Sequence, residues 1–211
     1  MRTRLFLLLI LLLSISYANA DTQKQADISS PIIVAVYGDS LAAGFGLPPE
    51  DAMPAQLQAK LRMDGIAAKV LNDGVSGDTT AGGLSRLDAV LAQKPSIVVI
   101  VLGGNDLLRA LPVATIHDNL DTIMARFHKA GVKMLLMGQR APASLGMTYD
   151  ASFNAMYAEL ASKYNASLYP VYLAGAYGNS ALMQQDGIHP NRDGVAFIVS
   201  RFEPQIKQLI K

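Results

Sequence analysis

Six consecutive apolar residues at positions 97–102, with the sequence IVVIVL, place the strongest constraint on how this chain can fold. An apolar run without polar alternation is typical of a strand that is buried on both faces, as at the centre of a parallel sheet. Helical spacing flanks the run, with leucines at positions 84, 87 and 91 before it and apolar residues at 116, 120, 123 and 127 after it. A buried strand between two helices predicts an α/β fold with helices on both sides of a parallel sheet.

The same alternation continues along the chain. Apolar segments predict further strands at about 32–37, 68–71, 133–137 and 167–171. Apolar residues at helical spacing predict a helix over about 51–64, another through positions 153, 157, 160 and 164, and a last one through 195–206. We expect Pro190 in the first turn of the last helix, and we expect Pro204 to kink or split it. The pattern predicts one domain over residues 31–211.

The N-terminus has the three parts of a secretory signal peptide. Arg2 and Arg4 form a basic region, an apolar run follows at 5–13, and Ala-Asn-Ala at 18–20 fits a cleavage site. The apolar run is shorter than the roughly 20 residues that span a bilayer. We therefore expect a cleaved signal peptide at 1–20, a flexible lead at 21–30, no integral membrane span, and a periplasmic or secreted protein.

Charge and cysteine content exclude several functions for the mature chain. Without Arg2 and Arg4 it carries 16 basic and 17 acidic residues, which argues against nucleic acid as a partner. The sequence contains no cysteine, so thiol catalysis, disulfides and thiolate metal sites are excluded. We expect no cofactor and no metal, because histidines are few and the carboxylates are scattered.

The first strand ends in Gly-Asp-Ser-Leu at 38–41, which would place the Ser40 hydroxyl at the carboxyl end of the sheet. Open α/β sheets bind ligands at that edge. An isolated Gly-Asp-Ser is more often a plain strand-ending turn. Its interpretation therefore depends on whether the chain also supplies a base, an acid and oxyanion donors.

Of the three histidines, His189 is the best candidate for a base. His117 and His128 fall on one predicted helix and are expected at the surface. His189 lies in a loop three residues after Asp186, so the carboxylate can approach Nδ1 and leave Nε2 for the serine, as in a catalytic triad. An Asp-x-x-His pair by itself is common and not specific.

Gly74 and Asn105 both follow predicted strands, so both are expected at the same sheet edge as Ser40. A glycine N–H and an asparagine NH₂ can each stabilise an oxyanion. Each could equally be an ordinary turn or helix-cap residue.

Taken together, these motifs resemble the four ordered blocks of the SGNH hydrolases, also called GDSL esterases. The blocks are GDSL at 38–41, NDGVSGDT at 72–79, GGND at 103–106 and DGIH at 186–189. The chain is most similar to the periplasmic arylesterase, acyl thioesterase and lysophospholipase branch. The resemblance implies a three-layer α/β/α flavodoxin-like fold with a five-stranded parallel sheet in the order 2-1-3-4-5.

The resemblance also implies roles for the residues. Ser40 would be the nucleophile, His189 the base and Asp186 its orienting acid. The oxyanion donors would be the amides of Ser40 and Gly74 and the side chain of Asn105. The substrate would be a small ester, thioester or lysophospholipid. We also expect the protein to be a monomer.

The apolar segment LLRALP at 107–112 suggests an acyl-binding wall, with Leu108, Leu111 and Pro112 as candidates, although local core packing is an equal alternative. The resemblance implies that this loop moves on binding. Gly-Phe-Gly at 44–46 only superficially resembles a dinucleotide loop. Two other functions stay open: a carbohydrate O-acetylesterase, disfavoured by the absence of tryptophan, and a non-catalytic binding module, disfavoured by the intact blocks.

Overall fold

A computed structural model describes residues 31–211. Its centre is a five-stranded, fully parallel sheet in the order β2-β1-β3-β4-β5, so the predicted fold is confirmed. The strands are β1 (Ile32–Gly38), β2 (Ala68–Gly74), β3 (Ile97–Val101), β4 (Lys133–Met137) and β5 (Ser167–Tyr169). All five residues of β3 are buried, as its unbroken apolar sequence predicted.

Helices cover both faces of the sheet. They are α1 (Ser40–Ala43), α2 (Met53–Met63), α3 (Thr80–Ala92), α4 (Gly104–Leu108), α5 (Val113–Lys129), α6 (Met147–Lys163) and α7 (Arg192–Ile210). Alternate residues of β1 face two separate cores: Val34 and Val36 pack with α2 and α7, whereas Ala35 and Tyr37 pack with α3, α5 and α6. This is the three-layer α/β/α arrangement expected when parallel strands are joined by helical crossovers.

Three local predictions were wrong: the end of β2, the end of β5 and the place of Pro190. Strand β2 extends to Gly74 instead of ending near position 71, and β5 ends at Tyr169. Pro190 precedes α7 instead of opening it, because Asn191 is the N-cap and accepts a hydrogen bond from the Gly194 amide at 2.9 Å. Of the two outcomes expected at Pro204, a kink or a split, the split does not occur, because α7 continues through Pro204 to Ile210.

The predicted signal peptide at 1–20 and the lead at 21–30 lie outside the described residues. Over 31–211, no helix has both the length and the apolar character needed to cross a membrane.

Candidate active site

Ser40 is the first residue of α1, immediately after β1. Asp39 is the N-cap of this short helix, and its carboxylate accepts a hydrogen bond from the Leu41 amide at 3.0 Å. A Cβ at Gly38 would lie 2.3 Å from the Val101 carbonyl oxygen, so only glycine allows β1 and β3 to approach this closely. The tight turn between β1 and α1 therefore places the Ser40 side chain at the carboxyl edge of the sheet.

His189 and Asp186 lie in the loop between β5 and α7 and reach the same edge. The Asp186 carboxylate accepts hydrogen bonds from the amides of Ile188 at 2.9 Å and His189 at 3.0 Å, which fixes the turn. Its second oxygen lies 2.6 Å from Nδ1 of His189. The other ring nitrogen, Nε2, lies 2.9 Å from Oγ of Ser40. The three side chains thus form one continuous hydrogen-bonded row.

The charge on Asp186 is well stabilised. Hydrogen bonds from the backbone and the side chain of His189 lower the pKa of Asp186 to about 2. The carboxylate is therefore ionised at neutral pH and favours a proton on Nδ1 of His189. On the solvent side, the Phe45 ring packs against the imidazole with ring centroids 4.7 Å apart.

Asn105 is the second residue of α4 and borders the same cavity as Ser40. Its side-chain NH₂ donates to the backbone carbonyl of Asp78 at 3.0 Å. This bond fixes the Asn105 amide at the carboxyl end of β3, where α4 begins.

Gly74 does not have the geometry predicted for it. Its N–H already donates to the Asn72 side chain at 3.0 Å, and a Cβ on Gly74 would lie 2.2 Å from the backbone nitrogen of Ala43. Gly74 therefore allows close packing between β2 and α1. Three residues later, Gly77 has φ +87°, and its N–H has no hydrogen-bond partner among residues 31–211. Gly77 also precedes Asp78, the residue that orients Asn105.

A cavity of about 780 Å³ opens beside Ser40 and has mostly apolar walls. Leu108 lines it and is 66% exposed. Leu111 instead packs against the core beneath α5, and Pro112 is the N-cap of α5, so neither lines the cavity. Of the three residues predicted to bind substrate, the structure brings only Leu108 to the site.

Much of the cavity wall was missed from the sequence. It comes from the loops that follow β4 and β5, and includes Ala141, Pro142, Leu173, Ala174 and Tyr177. The signal was available, because all carboxyl ends of a parallel sheet meet at one edge and the last two strands had been predicted. Phe45 was missed because its flanking glycines resemble a nucleotide loop.

The other two histidines lie away from Ser40, as expected. His128 is exposed at the end of α5, and His117 lies 3.3 Å from a carboxylate oxygen of Glu159. Within the part of the chain that the structure describes, no group of three or more histidine, aspartate or glutamate residues could hold a metal ion.

Known proteins share both the sequence and the fold. The profile of the GDSL-like lipase/acylhydrolase family matches residues 36–197. Esterase TesA of Pseudomonas aeruginosa is 39% identical over 176 residues, which are 83% of this chain and 88% of that protein. The thioesterase 1/protease 1/lysophospholipase L1 of Escherichia coli K12 is 36% identical over 210 residues, 99% of this chain and 94% of that protein.

A solved structure of an esterase has the same fold as this chain. The psychrotrophic esterase EstA from a Pseudoalteromonas species, inhibited by monoethylphosphonate, superimposes with a TM-score of 0.79 at 32% identity, over 85% of this chain and 98% of that one. The family match covers most of the chain, and the named relatives are esterases and a thioesterase. The chain therefore belongs to the GDSL-like lipase/acylhydrolase family and is a hydrolase of ester bonds.

Proposed function

We propose that this hydrolase acts by acyl transfer to Ser40, with His189 as the general base and Asp186 as the residue that orients it. The observation that carries the proposal is the 2.9 Å distance between Nε2 of His189 and Oγ of Ser40, combined with the 2.6 Å distance between Nδ1 and Asp186. A serine hydroxyl needs such a base to become nucleophilic at neutral pH.

The reaction has two steps. Oγ of Ser40 attacks the carbonyl carbon while Nε2 of His189 takes its proton, and the same proton then passes to the leaving oxygen or sulfur as that bond breaks. Water next attacks the acyl-enzyme, giving its proton to Nε2, and that proton returns to Oγ as the acid departs. Asp186 stays ionised throughout and stabilises the imidazolium.

The developing oxyanion needs donors beside Ser40. We assign the Ser40 amide and the Asn105 side chain to this role, and we assign the third donor to Gly77 in place of Gly74. The support for Gly77 is its N–H without a partner in the described chain and its position next to Asp78, which holds Asn105. Each such donor is typically worth roughly 10²–10³ in rate.

The substrate is a carboxylic ester or thioester with an apolar acyl or aryl group. Apolar walls and the exposed Leu108 favour such a group, and the relatives named as esterase, thioesterase and lysophospholipase act on this class of bond. The apolar cavity disfavours an acetylated sugar, and the complete Ser-His-Asp row disfavours a non-catalytic binding module. One chain supplies all three residues, so a monomer is sufficient.

We further infer export through cleavage after Ala20, from the basic region, apolar run and Ala-Asn-Ala site at the N-terminus. Expression of the full-length gene followed by mass spectrometry of the exported protein tests this directly. The expected N-terminus is Asp21, and an exported protein that begins earlier contradicts the cleavage site.

A fluorophosphonate probe and p-nitrophenyl butyrate test the nucleophile together. Ser40→Ala is expected to abolish both labelling and hydrolysis while the circular dichroism spectrum is unchanged. Ser85→Ala is the matched control, since this exposed hydroxyl only donates to the Gly82 carbonyl within α3, and it should behave as wild type. Wild-type turnover by Ser40→Ala would exclude the assignment.

A further inference from the structure

Arg86 makes three hydrogen bonds with one guanidinium group, although it lies on α3 and is remote in sequence from every residue of the proposed triad. Its Nε donates to the Asp78 carboxylate at 2.6 Å, Nη1 to the Asp73 carbonyl at 2.7 Å and Nη2 to the Gly38 carbonyl at 2.8 Å. Its side chain is 22% exposed, so these bonds are partly shielded from water. Charge-assisted bonds of this kind are stronger than bonds between neutral groups.

The three acceptors belong to three segments that meet at the proposed site. Gly38 ends β1 just before Asp39 and Ser40, and Asp73 is the second-last residue of β2. Asp78 closes the 75–78 turn that contains Gly77. Arg86 therefore connects the strand that carries the proposed nucleophile with the turn that carries a proposed oxyanion donor.

Asp78 forms hydrogen bonds through both its side chain and its backbone carbonyl. Its side chain binds Arg86, and its backbone carbonyl accepts the hydrogen bond from Asn105 at 3.0 Å. The ladder of the sheet ends at Gly74, and beyond it the turn is held to β1 by the bond from the Val75 amide to the Gly38 carbonyl at 2.9 Å. The bond from Arg86 to the Asp78 side chain holds the far end of this turn, and Arg109 donates to the Gly77 carbonyl within it at 3.1 Å.

The guanidinium is itself held in place. Its central carbon lies 4.6 Å from the centroid of the Tyr37 ring, and Tyr37 is fully buried in the core between the sheet and α3. Lysine cannot replace Arg86 here. Its single ammonium can neither stack on the Tyr37 ring as a planar guanidinium does nor keep all three hydrogen bonds.

We propose that Arg86 is a positioning residue for the oxyanion hole, acting through Asp78 to hold the Gly77 amide and the Asn105 side chain at their distance from Ser40. This inference rests on the proposed function. Donors that are fixed before the reaction stabilise a transition state most effectively, because they do not reorganise when charge develops. Loss of Arg86 should therefore slow the chemical step more than it weakens substrate binding.

The first test compares Arg86→Lys with wild type. We expect kcat to fall about 10- to 100-fold while KM changes by less than about threefold, the pattern of an interaction realised in the transition state. Arg126→Lys is the matched control, because Arg126 pairs with Asp88 on the surface away from Ser40, and its kcat should equal wild type. Equal kcat for Arg86→Lys and wild type overturns the proposal.

The second test separates positioning from a general effect on folding. If Arg86 positions the oxyanion donors, Arg86→Lys should lower kcat by a clearly smaller factor in an Asn105→Ala background than in the protein with Asn105. One of the two donors that Arg86 holds is then already absent, and effects within one hydrogen-bond network are not additive. A purely structural Arg86 would instead give the full loss in both backgrounds, which overturns the inference and leaves the proposed function intact. If Asn105→Ala alone has no effect on kcat, the oxyanion assignment fails and the inference fails with it.

Asp78→Asn supplies a second route if the arginine variants fold poorly. It keeps the backbone carbonyl that orients Asn105 and removes the charge that binds Arg86, so the same loss of kcat and the same coupling to Asn105→Ala are expected. Additive losses for Asp78→Asn and Asn105→Ala contradict the proposal. Thermal denaturation and circular dichroism of each variant confirm that only folded protein is compared.

Discussion

Two hydrogen bonds join the buried carboxylate of Asp106 to the buried Thr80. One oxygen accepts from the Thr80 amide at 2.8 Å and the other from its hydroxyl at 2.6 Å. Thr80 begins α3 just after the 75–78 turn, and Asp106 directly follows Asn105 in α4. These two bonds therefore tie together the segments that carry Gly77 and Asn105.

Replacing Asp106 with alanine should both destabilise the protein and lower its activity. The variant leaves two buried donors of Thr80 without their acceptor, which typically costs about 1–3 kcal/mol each. Urea denaturation followed by circular dichroism measures the loss, and Asp118→Ala, an exposed carboxylate on α5, serves as the control. An Asp106→Ala variant as stable as wild type would contradict this account of the buried pair.

Removing the base should cost more than removing the residue that orients it. We expect His189→Ala to lower kcat by roughly 10⁶-fold and Asp186→Asn by roughly 10⁴-fold, as in other serine hydrolases with this arrangement. Asp186→Asn retains an imidazole that is only poorly oriented. Steady-state kinetics with p-nitrophenyl butyrate provide the comparison, and equal losses would argue against an orienting role for Asp186.

Leu108 and Leu111 should respond differently to the same substitution. Leu108→Gln should lower kcat/KM for long acyl esters by about 10-fold or more relative to acetate esters, because it removes apolar contact from the cavity wall. Leu111→Gln should mainly lower stability, since Leu111 packs against the core. A panel of p-nitrophenyl esters and thermal denaturation separate the two effects. Unchanged chain-length preference in Leu108→Gln would exclude it from the acyl site.

The two glycines of the 72–79 segment should also behave differently. Gly74→Ala should prevent correct folding, because its Cβ meets the backbone of α1 at 2.2 Å. A Cβ at Gly77 meets no atom within 4 Å, so Gly77→Ala should fold, with a loss of about 1 kcal/mol from the left-handed backbone. Urea denaturation of the two variants measures the difference. A Gly74→Ala variant that folds and is as stable as wild type would contradict this difference between the two glycines.

Asp39 should make folding depend on pH. Burial raises the pKa of Asp39 from 3.8 to about 7, although the hydrogen bond from the Leu41 amide opposes the shift. Between these two values the native protein binds more protons than the unfolded chain, so this group's contribution to stability falls as pH rises from about 4 to 7.

Asp39→Asn tests that sign, because asparagine is an equally good N-cap and does not ionise. The melting temperature of Asp39→Asn relative to wild type should increase between pH 5 and pH 8, since only wild type then acquires a buried charge. Other titrating groups cancel in the difference between the two proteins. A difference that is constant with pH would show that Asp39 does not titrate in this range.

The sheet could be predicted from sequence because its signal is strong where burial is complete. Residues 97–101 carry no polar side chain and form β3 as expected. The extent of β2 could not be predicted, because Asn72, Asp73 and Gly74 are typical turn residues. In the structure they pair through their backbones with Val36, Tyr37 and Gly38, a contact that side-chain preferences do not report.

The same distinction applies to the site. A spacing of three residues within one turn was enough to predict that Asp186 contacts His189, and the order of the strands placed Ser40 beside them. The sequence could not indicate whether Gly74 or Gly77 has an N–H free to act as the proposed oxyanion donor. That depends on which of the two donates to the Asn72 side chain, and in the structure it is Gly74. Arg86 gave no sequence signal, since its three acceptors lie on β1, on β2 and in the turn, and meet only in the folded protein.

Ser40 and His189 are in hydrogen-bonding contact, yet 149 positions separate them in the chain. During synthesis the proposed nucleophile leaves the ribosome early, whereas its base is among the last residues to be added. A nascent or truncated polypeptide that ends before position 186 would retain the residues of all five strands but have no partner for the serine. Newly made chains should thus remain inert towards esters and thioesters around them until translation is nearly complete.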